Sequence, residues 1–201
     1  MKRVLLLVCR GTEIYEAAAF YDVLGWADLE GSEPIEAVAV GVSEEVRCTF
    51  GLRIKPDRLL EDVDAADFNA LAIPGGFEEY GFYEDAYAPE VSELIRVFHD
   101  AGKPVAAVCV GALPVAKSGI LEGRCATTYA LSGGHRRKQL AEMGANVKDC
   151  AVAEDGNVIT STGPSTAVDV AFRLLERLTG GENALHIRRL MGFDGATGNG
   201  Q

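Results

Sequence analysis

The sequence predicts a single-domain, doubly wound α/β sandwich, in which a mostly parallel central sheet is flanked by helices. Short apolar segments rich in valine and leucine alternate with segments of helical periodicity, and no repeat or linker divides the chain. The predicted buried strands are 4–9, 35–40, 68–73 and 104–108. We expect the domain to span residues 1–191. Residues 192–201, with four glycines and no apolar periodicity, are predicted to be a flexible or non-native tail.

The predicted helices follow from apolar residues spaced three or four positions apart. The first runs from Glu13 to about Leu24, with Thr12 as its N-cap. Pro89–Ala101 is amphipathic and ends before Gly102. The remaining helices are predicted at 112–118, 131–143, 163–178 and 182–191.

Shorter extended segments complete the prediction. Arg47–Ile54 is expected to form a β-excursion, and 124–129 a strand. Residues 147–154 are expected to be extended and to turn at Asp155–Gly156–Asn157. Residues 158–161 would then return as a hairpin partner.

The composition restricts the class of protein. A net charge of -11 disfavours binding to nucleic acid or to anionic membranes. No apolar run approaches membrane-spanning length. Five scattered cysteines without a Cys-x-x-Cys motif indicate reduced cytoplasmic thiols, and neither a disulfide framework nor a metal site. We expect a cytoplasmic protein without a cofactor.

The strand 104–108 ends at Cys109, and Gly111 opens an Ala/Leu-rich helix. This order of strand, nucleophile-capable residue and helix is typical of a nucleophile elbow, although Ala107 replaces the first glycine of that motif. A helix N-terminus near the sulfur favours a thiolate. The alternative interpretation is a small apolar cysteine that fills the core.

Four segments resemble the ThiJ/PfpI superfamily: 11–16 (Gly-Thr-Glu-Ile-Tyr-Glu), 73–76 (Ile-Pro-Gly-Gly), 106–111 (Ala-Ala-Val-Cys-Val-Gly) and 161–166 (Ser-Thr-Gly-Pro-Ser-Thr). Residues 161–166 and the helix start at 178–182 are similar to the protein-deglycase branch in particular. The resemblance covers residues 2–191 and implies a flavodoxin-like fold, similar to class I glutamine amidotransferases.

The resemblance also implies the roles of individual residues. Cys109 would be the nucleophile and Glu16 its carboxyl partner, with Glu13 as the alternative partner. The backbone N–H groups of Gly76 and Val110 would form an oxyanion pocket, which Gly75 lines. A protonated Glu16 would donate a hydrogen bond to the thiolate and lower the thiol pKa, whereas an ionised one would raise it.

At a third position the sequence departs from the family pattern. Tyr129 follows Thr127–Thr128 where deglycase and glyoxalase members carry a histidine, and we expect it to line the pocket without shuttling protons. Val110 replaces the histidine of protease-like members, so a peptidase is not expected. His186 lacks the His-x-Glu context of an amidotransferase. The run that begins His135–Arg136 is either a solvated face or a pocket rim that meets an anionic substrate.

These features predict a cysteine-dependent hydrolase or lyase, deglycase- or glyoxalase-like, that acts on a small electrophilic carbonyl compound. The alternative is a redox sensor or stress-response protein in which Cys109 is oxidised to sulfinic acid without turnover. A third hypothesis is an idle scaffold. In each case the resemblance implies a homodimer.

Overall fold

The computed structural model describes residues 1–193, which form eleven strands and seven α-helices. The strands are β1 (Lys2–Val8), β2 (Ile35–Gly41), β3 (Val46–Arg47), β4 (Arg53–Ile54), β5 (Arg58–Leu59), β6 (Ala70–Ile73), β7 (Val105–Ala107), β8 (Cys125–Ala126), β9 (Asn146–Val147), β10 (Val152–Asp155) and β11 (Val158–Ser161). The helices are α1 (Ile14–Glu30), α2 (Phe82–Ala86), α3 (Pro89–Asp100), α4 (Ala112–Lys117), α5 (His135–Glu142), α6 (Ala167–Thr179) and α7 (Gly181–Leu190). The predicted tail lies outside the described residues from position 194 onward.

Seven strands form the central sheet, in the order β10-β11-β7-β6-β1-β2-β5. Every neighbouring pair in it is parallel except β10 and β11, which form the predicted antiparallel hairpin. The predicted fold class, a mostly parallel sheet flanked by helices, is confirmed. Among the described residues, no helix is long and apolar enough to cross a membrane.

Helices cover both faces of the sheet because its central strands are apolar on both sides. Along β1, Val4, Leu6 and Val8 pack into one core with apolar residues of α1, α6 and α7. Leu5 and Leu7 alternate with them and pack into a second core with residues of α3 and α4. These two cores fix the ends of the central strands, where the candidate site lies.

Two details of α1 differ from the prediction. The helix continues to Glu30, and its N-cap is Glu13, whose carboxylate accepts from the N–H of Tyr15. Thr12 is not the cap because its hydroxyl is buried and accepts a hydrogen bond from the Cys9 N–H instead (3.0 Å). The hydroxyl therefore closes the β1–α1 turn.

The segment after β8 also departs from the prediction. Helix α5 begins at His135, not at residue 131, because Gly133 and Gly134 adopt positive φ values of 77° and 72°, which interrupt a helix. Of the predicted strand 124–129, only β8 pairs, with β9 in a separate two-stranded sheet. Residues 127–129 instead run past the end of the central sheet.

Candidate active site

The carboxyl ends of β1, β6 and β7 lie side by side in the sheet and bring the three predicted site segments together. Thr12 forms an antiparallel bridge with Gly76, and the N–H of Glu13 donates to the carbonyl of Gly75 (2.8 Å). On the other side, the N–H of Val108 donates to the carbonyl of Ile73 (3.1 Å). This edge of the sheet is the usual position of a site in such folds.

Cys109 lies at a strained turn between β7 and α4. Its φ of 57° belongs to the left-handed region, which costs a residue with a side chain about 1–3 kcal/mol. The hydroxyl of Thr128 donates to the Cys109 carbonyl (2.7 Å) and so ties residues 127–129 to the turn. Gly111 allows the close approach of β6, since a Cβ there would lie 2.5 Å from the Ile73 carbonyl oxygen. The cysteine side chain is half-buried, as a nucleophile elbow requires.

Glu16 projects from the first turn of α1 and is completely buried. One carboxyl oxygen, Oε2, accepts a hydrogen bond from the Gly75 N–H (2.6 Å). The other, Oε1, has no hydrogen-bond partner of good geometry within residues 1–193. Burial raises the pKa of Glu16 from 4.5 to about 7, against the opposing effects of the Gly75 N–H and the adjacent Cys109 side chain. At neutral pH this carboxyl therefore exchanges its proton readily.

The environment of Cys109 does not lower the thiol pKa by itself. Burial raises it most, and the Glu16 carboxylate raises it further, while the N–H of Val110 lowers it by hydrogen bonding to the sulfur. The prediction of a lowered thiol pKa therefore depends on the protonated form of Glu16. Because two adjacent negative charges are disfavoured in a buried site, the pair carries one charge near neutral pH.

The two glycines allow close packing around the pair. A Cβ at Gly75 would lie 2.9 Å from both the Cys109 Cβ and Glu16 Oε2, and a Cβ at Gly76 would lie 2.3 Å from the Phe82 ring. The hydrogen bonds that flank the Thr12–Gly76 bridge use the neighbouring residues, so the Gly76 N–H points away from Thr12. The Val110 N–H reaches the Cys109 sulfur, and the Gly76 N–H is left free by the bridge. The role of these two N–H groups as an oxyanion pocket stays a prediction.

The other residues that the sequence singled out each have different surroundings. Tyr129 is half-buried over Gly163, and its place in the pocket stays a prediction. Glu13 caps α1. His135 is exposed, whereas Arg136 lies over the Tyr83 ring, 5.1 Å from its centroid.

Sequence reasoning missed Tyr83, whose hydroxyl is buried, and gave the segment 77–88 no structure. The aromatic and acidic residues of segment 77–88 show no helical periodicity, because α2 has only five residues. Across residues 1–193, no group of three or more His, Cys, Asp or Glu side chains is arranged to hold a metal ion.

Comparison with known proteins gives consistent matches. The profile of the DJ-1/PfpI family matches residues 2–177. Protein DJ-1alpha of Drosophila melanogaster is 30% identical over 191 residues, which cover 94% of this chain and 83% of that protein. Glutathione-independent glyoxalase DJR-1.2 of Caenorhabditis elegans is 33% identical over 140 residues, which cover 70% of this chain and 71% of that protein. The crystal structure of Drosophila melanogaster DJ-1beta superposes with a TM-score of 0.82 at 30% identity, covering 94% of this chain and 97% of that one.

Proposed function

The chain belongs to the DJ-1/PfpI family, and on that premise we propose that it is a cysteine-dependent hydrolase or lyase, of the deglycase or glyoxalase type, that acts on a small electrophilic carbonyl compound. The observation that carries this proposal is the Glu16 carboxyl, buried against the Cys109 side chain at the end of three parallel strands. A buried carboxyl with a pKa near 7 is suited to move a proton at neutral pH.

The singly deprotonated Cys109–Glu16 pair is the reactive form. Its proton rests either on the carboxyl, beside a thiolate, or on the sulfur, beside a carboxylate. Both arrangements bind the same number of protons, so the reaction rate depends on pH in the same way whichever arrangement reacts. The pair therefore supplies a nucleophile without a histidine at position 129.

In the first step the Cys109 sulfur bonds to the aldehyde carbon, and the C=O π bond breaks. The oxygen receives the proton that the thiol has released, through Glu16, and gives a hemithioacetal. The N–H groups of Gly76 and Val110 stabilise the negative charge that develops on this oxygen. The Gly75 N–H holds the Glu16 carboxyl in place at 2.6 Å.

With a 2-oxoaldehyde, the reaction proceeds without an external oxidant. Glu16 removes the C–H proton of the hemithioacetal and delivers it to the neighbouring carbonyl carbon, while the hemithioacetal hydroxyl proton moves to the oxygen on that carbon. One carbon is thereby oxidised and the other reduced. The product is a thioester, which water hydrolyses to a 2-hydroxy acid and the free thiol. The C. elegans relative is named as a glutathione-independent glyoxalase, and its similarity to this chain supports a 2-oxoaldehyde as the first substrate to test.

The test is turnover of methylglyoxal, followed as loss of substrate and appearance of lactate, without glutathione. We expect turnover by the wild-type protein and none by Cys109→Ser, while Cys150→Ser, which alters an exposed cysteine, retains full activity. No turnover, with Cys109 gaining two oxygens in mass at low peroxide, would instead favour the redox sensor. Activity that survives Cys109→Ser would refute both functions.

Two further features belong to this proposal. All five cysteines are free thiols, which fits a reducing compartment such as the cytoplasm. We also propose a homodimer, because α1 and the β3–β4 hairpin expose apolar side chains on one side of the molecule, among them Tyr21 and Leu52.

A further inference from the structure

The hydroxyl of Tyr83 is buried, yet it has no hydrogen-bond partner in the part of the chain that the structure describes. A buried hydroxyl without a partner destabilises the folded protein, so its position calls for an explanation. Tyr83 belongs to α2, the short helix that follows the Gly75–Gly76 turn.

Helix α2 is fixed against the site at two points. The Phe82 ring packs onto Gly76, so closely that a Cβ there would lie 2.3 Å from it. Asp85, which is nearly fully buried, accepts hydrogen bonds from the backbone N–H of Arg10 (2.8 Å) and from its guanidinium (2.6 and 3.0 Å). Tyr83 lies between these two anchors in sequence, so its ring has little freedom to move away.

Two further side chains pack against the Tyr83 ring and restrict its position. The Arg136 guanidinium lies 5.1 Å from the ring centroid, and the Tyr87 ring lies 4.8 Å away. Arg136 is kept there by ion pairing with Glu78 (2.8 Å) and by a hydrogen bond to Gln139 (3.0 Å). This arrangement gives the hydroxyl a defined position, which a hydrogen-bond donor to a ligand needs.

The same hydroxyl lies in the electrostatic field of the nucleophile. Burial raises the pKa of Tyr83 most, Arg136 opposes this, and Cys109 is among the groups that raise it further. Packing also places Tyr83 beside the site, because its ring lies 5.3 Å from that of Phe82, which packs onto Gly76. The hydroxyl therefore stays protonated at neutral pH and can donate a hydrogen bond.

We propose that the Tyr83 hydroxyl donates a hydrogen bond to the compound bound at Cys109, and so supplies a polar group that the sequence did not predict. This inference rests on the proposed function and refines its substrate class. The Gly76 and Val110 amides serve the oxygen on the carbon that sulfur attacks. A further donor is useful for a substrate with a second oxygen on the adjacent carbon, as in a 2-oxoaldehyde.

The proposed contact acts in the proton-transfer step. When Glu16 takes the C–H proton of the hemithioacetal, the electron pair of that bond forms a C=C bond, and the adjacent carbonyl becomes an enolate. Tyr83 stabilises the charge on the enolate oxygen. The hydroxyl proton on the sulfur-bearing carbon then moves to the enolate oxygen. The former carbonyl carbon takes the proton held by Glu16, and the oxygen left on the sulfur-bearing carbon forms the C=O bond of the thioester. No group outside the substrate, the protein and water takes part.

The test compares Tyr83→Phe with Tyr21→Phe, which makes the same change at an exposed tyrosine of α1. We expect Tyr83→Phe to lower kcat/KM for methylglyoxal about 10- to 100-fold, a loss typical of removing one hydrogen bond to a charged group. Labelling of Cys109 by iodoacetamide should stay within about twofold of wild type, because alkylation needs no enolate. Tyr21→Phe should retain its activity within about twofold. Both variants should fold, since each loses one oxygen atom.

Three results would overturn this role for Tyr83. Full activity of Tyr83→Phe, or an equal loss in Tyr21→Phe, would do so while the proposed function stands. An equal fall in turnover and in iodoacetamide labelling would mean that Tyr83 only supports the packing around Cys109. Absence of methylglyoxal turnover in the wild-type protein would overturn the proposed function together with this refinement of it.

Discussion

Two weakly acidic side chains, Glu16 and Cys109, share a buried environment, and this contact dominates the chemistry of single residues in the protein. Burial raises the pKa of both groups. Each therefore retains a proton that it would lose more readily in water, and the first charge on the pair raises the cost of the second. The site can hold one negative charge and move one proton, which is the minimum that nucleophilic attack on a carbonyl requires.

The first prediction concerns the pH dependence of stability. Folding raises the pKa of Glu16 from 4.5 to about 7, so the folded state binds this proton more tightly than the unfolded state. The ionised carboxyl therefore costs stability that grows from pH 4.5 to pH 7. The free energy of unfolding of Glu16→Gln, relative to that of wild type, should therefore rise by about 3 kcal/mol between pH 4.5 and pH 8. Urea unfolding measures it.

The control for this prediction is Glu44→Gln, which alters an exposed carboxyl. Its stability difference from wild type should stay within about 0.5 kcal/mol over the same pH range. If the stability difference between Glu16→Gln and wild type also stays constant over this pH range, Glu16 ionises normally in the folded protein.

The sequence contained the identities of these residues but not their environment. Cys109 and Glu16 could be selected from the strand-turn-helix pattern and from the family resemblance. Tyr83 could not be selected, because the packing of Arg136 from α5 onto α2 joins residues that are 53 positions apart in sequence. The burial of Glu16 depends likewise on Gly75, which belongs to another strand connection.

At the scale of secondary structure, α2 is the element that encloses the site, although it has only five residues. A helix this short gains little stability from its own hydrogen bonds, so contacts with its neighbours must hold it in place. The Arg10–Asp85 interaction joins α2 to the turn after β1, and thus to the start of α1, which carries Glu16.

The second prediction tests this connection. Asp85→Asn should destabilise the protein by about 2 kcal/mol, since a buried, charge-assisted set of hydrogen bonds is lost while Arg10 keeps its charge. Glu84→Gln is the matched control, because Glu84 also pairs with Arg10 (2.8 Å) but is exposed, and it should cost less than about 1 kcal/mol. Equal losses in the two variants, measured by thermal unfolding, would contradict the role assigned to Asp85.

Long apolar elements were predictable from sequence, and short ones were not. The continuous apolar run of β1 and the amphipathic pattern of α3 reflect packing against whole layers, which a local sequence pattern records. The start of α5 depends on the backbone of Gly133 and Gly134, and β8 depends on pairing with β9, twenty residues later. Tertiary contacts therefore determine where α5 begins and which residues of β8 pair, and they override the local preference of the sequence.

At the scale of the whole molecule, apolar side chains remain exposed along α1 and the β3–β4 hairpin. A shallow groove between them is lined by Leu6, Val8, Ile14, Ala17, Ala18, Tyr21, Ala39, Leu52, Ile54, Lys55 and Asp57. Nearby, the rings of Phe50, Phe77 and Tyr80 contact one another on the surface, with Phe50 76% exposed. This concentration of apolar surface supports the proposed homodimer.

The third prediction is that Leu52→Glu converts the dimer into a monomer, because the new carboxylate would be buried without a partner at the interface. Val97→Glu, which alters an exposed apolar residue of α3, should leave the dimer intact. Size-exclusion chromatography with light scattering distinguishes these outcomes. A monomeric wild-type protein, or dissociation caused only by Val97→Glu, would be inconsistent with an interface at α1 and the hairpin.

The proposed chemistry depends most directly on the Cys109–Glu16 pair, and the rate of Cys109 alkylation by iodoacetamide as a function of pH tests it. Mass spectrometry of the Cys109 peptide should give a midpoint near pH 7 for wild type, where the pair loses its first proton. In Glu16→Gln the thiol must ionise alone, so the midpoint should rise above the ordinary thiol value of about 8.5. Identical profiles for the two proteins, or no labelling before unfolding, would show that Cys109 is a structural cysteine and that the proposed chemistry is wrong.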